Sequence, residues 1–267
     1  MHRRSIGLKP DTAVVPESAL SKAFIRSVEI TGSDLERRSY PLSLPAFQGV
    51  RTLVLDPRAT ILVGENGSGK STLIEGIAVA AGFNAEGGTV NFNFATQRHR
   101  PELAKYLRLV RGTLRPRTGF FLRAESFFNV ATEIERLDEE PSTAPKIRNS
   151  YGPRPLHEVS HGESFLSLAL HRFGPRGLYV LDEPEAAMSP YGCLALVRRF
   201  HDLVAEGSQF VIATHSPIIM AFPGALIYVL SDGGPRHTHW DELDHVKVMK
   251  EFMNHKDTVV NELLESS

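Results

Sequence analysis

A glycine-rich loop over residues 64–72 limits the folds open to this chain more than any other segment. Residues 64–72 follow the pattern G-x-x-x-x-G-K-S/T and read Gly64, Glu65, Asn66, Gly67, Ser68, Gly69, Lys70, Ser71 and Thr72. An apolar run precedes this phosphate-binding loop and a helix-like stretch follows it, so backbone N–H groups and a helix N-terminus would face an anion. The loop therefore predicts a nucleoside triphosphate site, with Lys70 on the β- and γ-phosphates and Ser71 on Mg²⁺.

The rest of the chain has the composition of an ordinary globular protein. It has 267 residues, a formal net charge of -1 and one cysteine, so neither an internal disulfide nor a cysteine zinc cluster is expected. It also lacks an apolar run near the ~18 residues of a membrane span and the apolar core of a secretory signal. We expect a cytoplasmic protein without membrane insertion. Its expected organisation is a flexible N-terminal arm over 1–22 and a single domain over 23–267, with a lobe or insert at about 83–160.

Predicted strands and helices alternate along most of the chain. Strands are expected at 24–30, 51–55, 59–63, 119–122, 177–182, 209–214 and 225–230, and one more within 82–94 that contains Val90, Phe92 and Phe94. Helices are expected at 71–81, 101–109, 161–172, 191–206 and about 240–264. This order predicts an α/β fold with a mostly parallel sheet, antiparallel strands near the N-terminus and a small inserted helical or loop region.

An acidic pair ends the apolar strand 177–182. Open α/β sheets bind ligands at the carboxyl ends of their strands, which is where Asp182 and Glu183 fall. Asp182 is suited to hold Mg²⁺ through water, and Glu183 to activate an attacking water as general base. A plain buried strand that ends in an acidic turn would look similar. The phosphate-binding loop upstream favours the functional interpretation.

Two further segments carry candidate site residues. Ser160 and Glu163 form an S-x-x-E capping box at the start of the helix after residue 160, and such a helix start is also an anion site. A second apolar strand ends in Thr214, His215 and Ser216. A lone histidine at a strand end is more often an ordinary residue, but here it follows three other motifs.

In their order and spacing these motifs resemble those of ABC-type ATPases. The resemblance is closest to compact, soluble, SMC- and RecF-like members of the AAA family without a coiled-coil arm. It implies a P-loop NTPase core, ATP and Mg²⁺ as ligands, hydrolysis of ATP, and an ATP-dependent homodimer. The family's signature, Ser-Gly-Gly-Gln, corresponds to a signature segment that reads Ser160, His161, Gly162, Glu163 and Ser164, with His161 and Glu163 as departures.

The resemblance also implies roles for single residues. The signature segment would contact the γ-phosphate bound to the other subunit, and His215 would be the switch histidine that touches the γ-phosphate. Ser189 lies in the segment that crosses the dimer interface in that family. The glutamine that couples the γ-phosphate to a partner is either Gln97 or, with an altered residue type, Glu125. Tyr40 is a candidate for stacking on adenine, although a lone aromatic residue is more often part of a core.

Charge patterning leaves the partner open. Basic residues are concentrated between Arg98 and Arg123, which suits a nucleic-acid backbone or, as we favour, a solvated face that pairs with the acidic residues of 133–140. The predicted role is a switch in DNA-associated maintenance or defence. The alternatives are the ATPase subunit of a membrane transporter and a nucleotide-sensing regulator of an unknown protein partner. The segment between Lys70 and Ser160 has no long heptad pattern, which rules out a coiled-coil arm.

Overall fold

The computed structural model describes residues 15–89, 102–123, 161–186 and 188–265. The strands are β1 (Ile25–Ile30), β2 (Thr52–Val54), β3 (Ala59–Gly64), β4 (Leu107–Arg111), β5 (Thr118–Arg123), β6 (Gly177–Asp182), β7 (Gln209–Ala213), β8 (Leu226–Ser231) and β9 (Gly234–Thr238). The helices are α1 (Glu17–Leu20), α2 (Lys70–Ala81), α3 (His161–His171), α4 (Pro190–Ala205), α5 (Pro217–Met220), α6 (Asp244–Asn254) and α7 (Lys256–Glu265). Across these ranges, no helix has both the length and the apolar character that a membrane span requires.

The strands form two sheets. The larger has six strands in the order β5-β6-β7-β3-β8-β9, parallel except for the hairpin partner β9. The smaller has three antiparallel strands in the order β2-β1-β4. The predicted α/β fold with a mostly parallel sheet and N-terminal antiparallel strands is confirmed.

The two faces of the large sheet are covered by different helices. Along β3, Ile61 and Val63 pack into one hydrophobic cluster and Leu62 into the other, as the two-residue repeat of a strand requires. The cluster around Leu62 contains the apolar face of α2 and the small sheet, whereas the opposite cluster contains the apolar residues of α3 and α4. The helix after the phosphate-binding loop and the helix of the signature segment therefore lie on opposite faces.

The buried side chain of Gln209 connects the two sheets through several hydrogen bonds. Gln209, at the start of β7, accepts hydrogen bonds at Oε1 from the backbone N–H groups of Phe24 and Ile25, both at 3.0 Å. Its Nε2 donates to the carbonyl oxygens of Ile25, at 2.8 Å, and Asp56, at 3.0 Å. Four backbone groups at the junction thus find partners in one amide.

The helix predicted over 101–109 is wrong. Residues Glu102–Tyr106 form a 3₁₀ turn, and Leu107–Arg111 form β4, which pairs with β1. The reason is tertiary. Pairing with β1 uses the backbone groups of the segment, while Leu103 packs in the core against α2, so the long-range ladder overrides the local helical pattern.

The C-terminal helix also differs from the prediction. The final helix expected over 240–264 is divided into a 3₁₀ turn, α6 and α7, with His255 between the two helices. Within the predicted N-terminal arm, Glu17–Leu20 form α1 and Val15 packs against the core, while residues 1–14 lie outside the described ranges. Of the strand predicted within 82–94, Val90, Phe92 and Phe94 lie outside the described ranges, and Gly88 forms an isolated antiparallel bridge with Phe121.

Candidate nucleotide-binding and catalytic site

The phosphate-binding loop connects β3 to α2 and depends on glycine for its shape. Gly67 and Gly69 have φ values of +82° and +96°, a left-handed region in which residues with a β-carbon are strained. A β-carbon on Gly69 would also lie 3.0 Å from Cβ of Ala46, and the Ala46 N–H donates to the carbonyl of Ser68 at 2.9 Å. The loop is thus a tight turn held by the segment that packs on its outer side.

The side chain of Lys70 lies inside the loop. It is 5% exposed, and its Nζ donates to the carbonyl oxygens of Gly64, at 2.7 Å, and Glu65, at 2.9 Å. Burial lowers the pKa of Lys70, while the carboxylates of Glu183, Asp182 and Glu185 oppose that effect. Because phosphate oxygens are stronger acceptors for an ammonium than neutral carbonyls, the loop suits a phosphate chain.

Ser71 and Asp182 form the candidate metal site. The Ser71 hydroxyl donates to Oδ1 of Asp182 at 3.2 Å, and Asp182, the last residue of β6, is 6% exposed. A hydroxyl and a carboxylate are hard oxygen ligands of the kind Mg²⁺ uses, together with waters and substrate phosphates. Among the described residues, no group of three His, Cys, Asp or Glu could hold a metal by itself. The donor set fits Mg²⁺ that arrives with a nucleotide.

Glu183 and His215 face each other across the ends of β6 and β7. Glu183 has a φ of +50°, and its N–H donates to the carbonyl of Ala213 at 2.9 Å. Its Oε1 lies 3.8 Å from Nε2 of His215, a buried atom without a hydrogen-bond partner in the described ranges. Burial, helped by Lys70 and His245, lowers the pKa of His215, against the opposing effect of Glu183 and Glu185. The imidazole is therefore neutral near pH 7.

A cavity of about 480 Å³ opens beside the loop. The loop forms one wall, and the end of β8, Arg236 of β9 and the start of α6 form the other. Polar residues that line the cavity include Glu65, Asn66, Ser68, Asp232, Arg236 and His245. Tyr40, the candidate for adenine stacking, is 66% exposed and is not among the lining residues, whereas Pro45 is. No residue of α3 lines the cavity among those the structure describes.

The described residues include only part of the signature segment. Gly162, Glu163 and Ser164 lie in the first turn of α3, with Glu163 exposed and Ser164 buried. Ser160 and the side chain of His161 lie outside the described part of the chain, as do Gln97 and Glu125. Ser189 is the N-cap of α4, where its Oγ accepts from the Gly192 N–H at 3.1 Å.

Two residues of the site were missed by the sequence analysis. The ring of His245, on α6, has its centroid 5.6 Å from that of His215, and Glu185 accepts hydrogen bonds from the backbone beside His215. His245 belongs to no recognisable pattern. Glu185 directly follows the acidic pair and Pro184, and that position was its only signal.

Several of the basic residues between Arg98 and Arg123 are held by their own chain. Arg108 pairs with Glu29 at 2.7 Å, and Arg123 with Glu75 at 3.5 Å. Arg111 donates to two backbone carbonyls at the end of α2. Arg98, Arg100 and the acidic stretch 133–140 lie outside the described residues, so the predicted pairing with that stretch remains a prediction.

Comparison with known sequences agrees with this geometry. Residues 45–99 match the family described as "P-loop containing region of AAA domain". Residues 133–221 match the family described as "AAA domain, putative AbiEii toxin, Type IV TA system". The two matches contain the phosphate-binding loop and the segment from the signature to His215, respectively.

Curated relatives are ATP-binding proteins of the ABC type. The arabinose import ATP-binding protein AraG 2 of Burkholderia thailandensis is 28% identical over 68% of this chain and 37% of its own length. The ABC transporter G family member STR2 of Medicago truncatula is 28% identical over 59% of this chain and 23% of its own length. The chain thus spans well under half of these two relatives.

A third relative is the cytochrome c biogenesis ATP-binding export protein CcmA of Rhodopseudomonas palustris. It is 30% identical over 66% of this chain and 86% of its own length. Proteins of this type bind ATP with Mg²⁺ and hydrolyse it, which agrees with the loop, the Ser71–Asp182 pair and Glu183. The chain belongs to the ABC-type P-loop ATPases.

Proposed function

We propose that the protein is an ATP-driven homodimeric switch, in which the phosphate-binding loop of one copy and the signature segment of the other enclose each ATP. The observation that carries the proposal is the placement of α2 and α3 on opposite faces of the sheet. Because only residues 172–176 separate α3 from the start of β6, the N-terminus of α3 lies at the carboxyl edge, as the loop does. Both helix starts then reach the same edge without meeting in the cavity of one chain.

The residues of the site divide the reaction between them. Glu183 orients the attacking water and accepts its proton, and the neutral His215 donates a hydrogen bond to the γ-phosphate. Lys70 stabilises the charge that develops on the phosphoryl oxygens, as a preorganised donor in a buried site. When bound, Mg²⁺ supplies further charge neutralisation, held by Ser71 and, through water, by Asp182. Positioning and electrostatics therefore account for most of the rate.

The biological role of the switch depends on a protein partner. We place the protein in the cytoplasm. The description of the family matched by residues 133–221 names a toxin of a toxin–antitoxin system, and this favours a role in defence. The second candidate is the ATPase subunit of a transporter, which the names of AraG 2 and CcmA favour. Both roles use the same ATP-dependent dimer.

Glu183→Gln tests the switch because it keeps the site intact and removes the base. The variant is expected to bind ATP with Mg²⁺ and to accumulate as a dimer, measured by light scattering coupled to gel filtration. The matched control is the double variant Lys70→Ala, Glu183→Gln, which loses its phosphate contact and is expected to stay at the monomer mass. A Glu183→Gln protein that remained monomeric at saturating ATP and hydrolysed ATP at the wild-type rate would contradict the proposal.

A further inference from the structure

The carboxylate of Glu185 lies against the backbone that carries His215. Its Oε1 accepts hydrogen bonds from the N–H groups of His215 and of Ser216, the latter at 3.0 Å. Bonds to an ionised acceptor are about twice as strong as neutral ones. The second oxygen, Oε2, is buried and has no hydrogen-bond partner in the described ranges. This carboxylate therefore has its main polar contacts with the two residues at the end of β7.

Two sets of hydrogen bonds connect the turn after β6 with the loop after β7. The first is the bond from the Glu183 N–H to the Ala213 carbonyl, at 2.9 Å. The second is the Glu185 carboxylate, two residues further along one segment and two to three residues further along the other. Between them lie the side chains of Glu183 and His215, whose Oε1 and Nε2 are 3.8 Å apart. These two connections join the backbone segments that carry the pair.

Other hydrogen bonds of the same loop do not reach the turn after β6. Oγ1 of Thr214 accepts from the Ser216 N–H at 3.0 Å, and Oγ of Ser216 accepts from the Ile219 N–H at 3.5 Å. Both bonds lie within the segment that follows β7, so neither fixes it relative to Glu183. Only the Glu185 carboxylate joins the N–H of His215 to the neighbouring strand's turn in the contacts that the described residues make.

We propose that Glu185 is a positioning residue for ATP hydrolysis, which holds His215 at the distance from Glu183 that the reaction requires. The inference rests on the role of His215 in the proposed function. Glu185 acts through the backbone of His215 and does not itself touch the nucleotide. Charged or titratable groups that act on His215 are Lys70, Glu183, His245 and Glu185, and the negative charge of Glu185 also opposes the loss of basicity that burial causes.

A double-mutant cycle separates positioning from a general structural role. The turnover number and the KM for ATP are measured for Glu185→Ala, His215→Ala and the combined variant. Glu185→Ala is expected to lower kcat by about 10-fold with KM for ATP little changed, since the lost interaction serves the transition state. The combined variant is expected to be no slower than His215→Ala, because residues that act as one unit are not additive.

Two further measurements keep the test sharp. Glu185→Gln has a side chain of nearly the same shape with one acceptor oxygen, and it is expected to recover part of the kcat that Glu185→Ala loses. Hydrogen exchange of the backbone amides of residues 215 and 216 is expected to be faster in Glu185→Ala than in the wild type. Glu206→Ala, which removes an exposed carboxylate at the end of α4, is the matched control and is expected to behave as the wild type.

The outcomes distinguish this inference from the proposed function. If His215→Ala slows hydrolysis but Glu185→Ala does not, or if the two losses multiply in the combined variant, Glu185 is not a positioning residue and the role of His215 stands. If His215→Ala keeps the wild-type kcat, the proposed role of His215 fails and the inference fails with it.

Discussion

The hydroxyl of Ser71 lies 3.2 Å from the carboxylate of Asp182, and these two groups form the proposed Mg²⁺ site. Ser71→Ala removes a ligand oxygen and leaves the fold of α2 unchanged, because alanine is a good helix former. The variant is expected to need about 10- to 100-fold more free Mg²⁺ for half-maximal ATPase activity. The measurement is a titration of the rate with Mg²⁺ at constant ATP. An unchanged Mg²⁺ requirement would remove Ser71 from the metal site.

Burial of His215 makes a prediction about stability and pH. Because its pKa is lowered from the ordinary value of 6.5, the unfolded chain takes up this proton at higher pH than the folded chain. The contribution of neutral His215 to stability is therefore complete above about pH 6.5 and is lost as the pH falls below it. Denaturant unfolding between about pH 8 and pH 5 should show the wild type losing stability relative to His215→Gln. A difference that stayed constant over this range would contradict the assignment.

Residues in motifs of fixed order could be predicted, and residues joined only by the fold could not. Lys70 was predicted as a site residue because it belongs to the phosphate-binding loop, and Asp182 and His215 because they stand at the ends of apolar strands. Their roles in the site stay predictions. Glu185 is 30 residues from His215, and their contact requires β6 and β7 to be neighbours in the sheet. Sequence spacing alone does not reveal that adjacency.

Among the secondary-structure elements, the contribution of Gln209 to the junction of the two sheets can be measured by substitution. Gln209→Met keeps the approximate volume but leaves four backbone groups around Ile25 and Asp56 without their partners in the interior. The free energy of unfolding is expected to fall by about 3 kcal/mol, as for other buried networks that lose one member. Urea unfolding measures it. Gln48→Met, at a partly exposed glutamine that donates to the carbonyls of Leu42 and Ser43, is the control and should cost less. Equal losses in the two variants would show that Gln209 has no special role.

The elements that sequence patterns missed are those formed by pairing. β4 was predicted as part of a helix, yet its backbone pairs with β1, while the buried Leu103 before it packs beside α2. β9 contains Gly234 and Pro235 and has no apolar alternation, and it forms only as the antiparallel edge partner of β8. By contrast, β3, β6 and β7 are buried along their whole length and were predictable from their apolar runs.

For the molecule as a whole, the basic residues between Arg98 and Arg123 raise the question whether nucleic acid is the partner. Arg108 and Arg123 are paired within the chain, so we expect DNA to leave the ATPase rate unchanged at about 50 mM and at about 200 mM salt. The assay compares the rate with and without double-stranded DNA at each salt concentration. Stimulation at the lower salt that disappears at the higher salt would instead support a nucleic-acid partner.

In the proposed dimer each ATP site is built from two copies of the chain, and a mixture of two inactive variants can show whether the site is shared. Lys70→Ala disables the phosphate-binding loop, and Glu163→Arg places a bulky cation at the exposed first turn of α3. Each variant alone is expected to be inactive, because both of its composite sites are damaged. A mixture should recover about a quarter of the wild-type ATPase activity, since half of randomly paired dimers are mixed and each mixed dimer has one intact site. Activity of the mixture no higher than that of the separate variants would contradict a site shared between two copies.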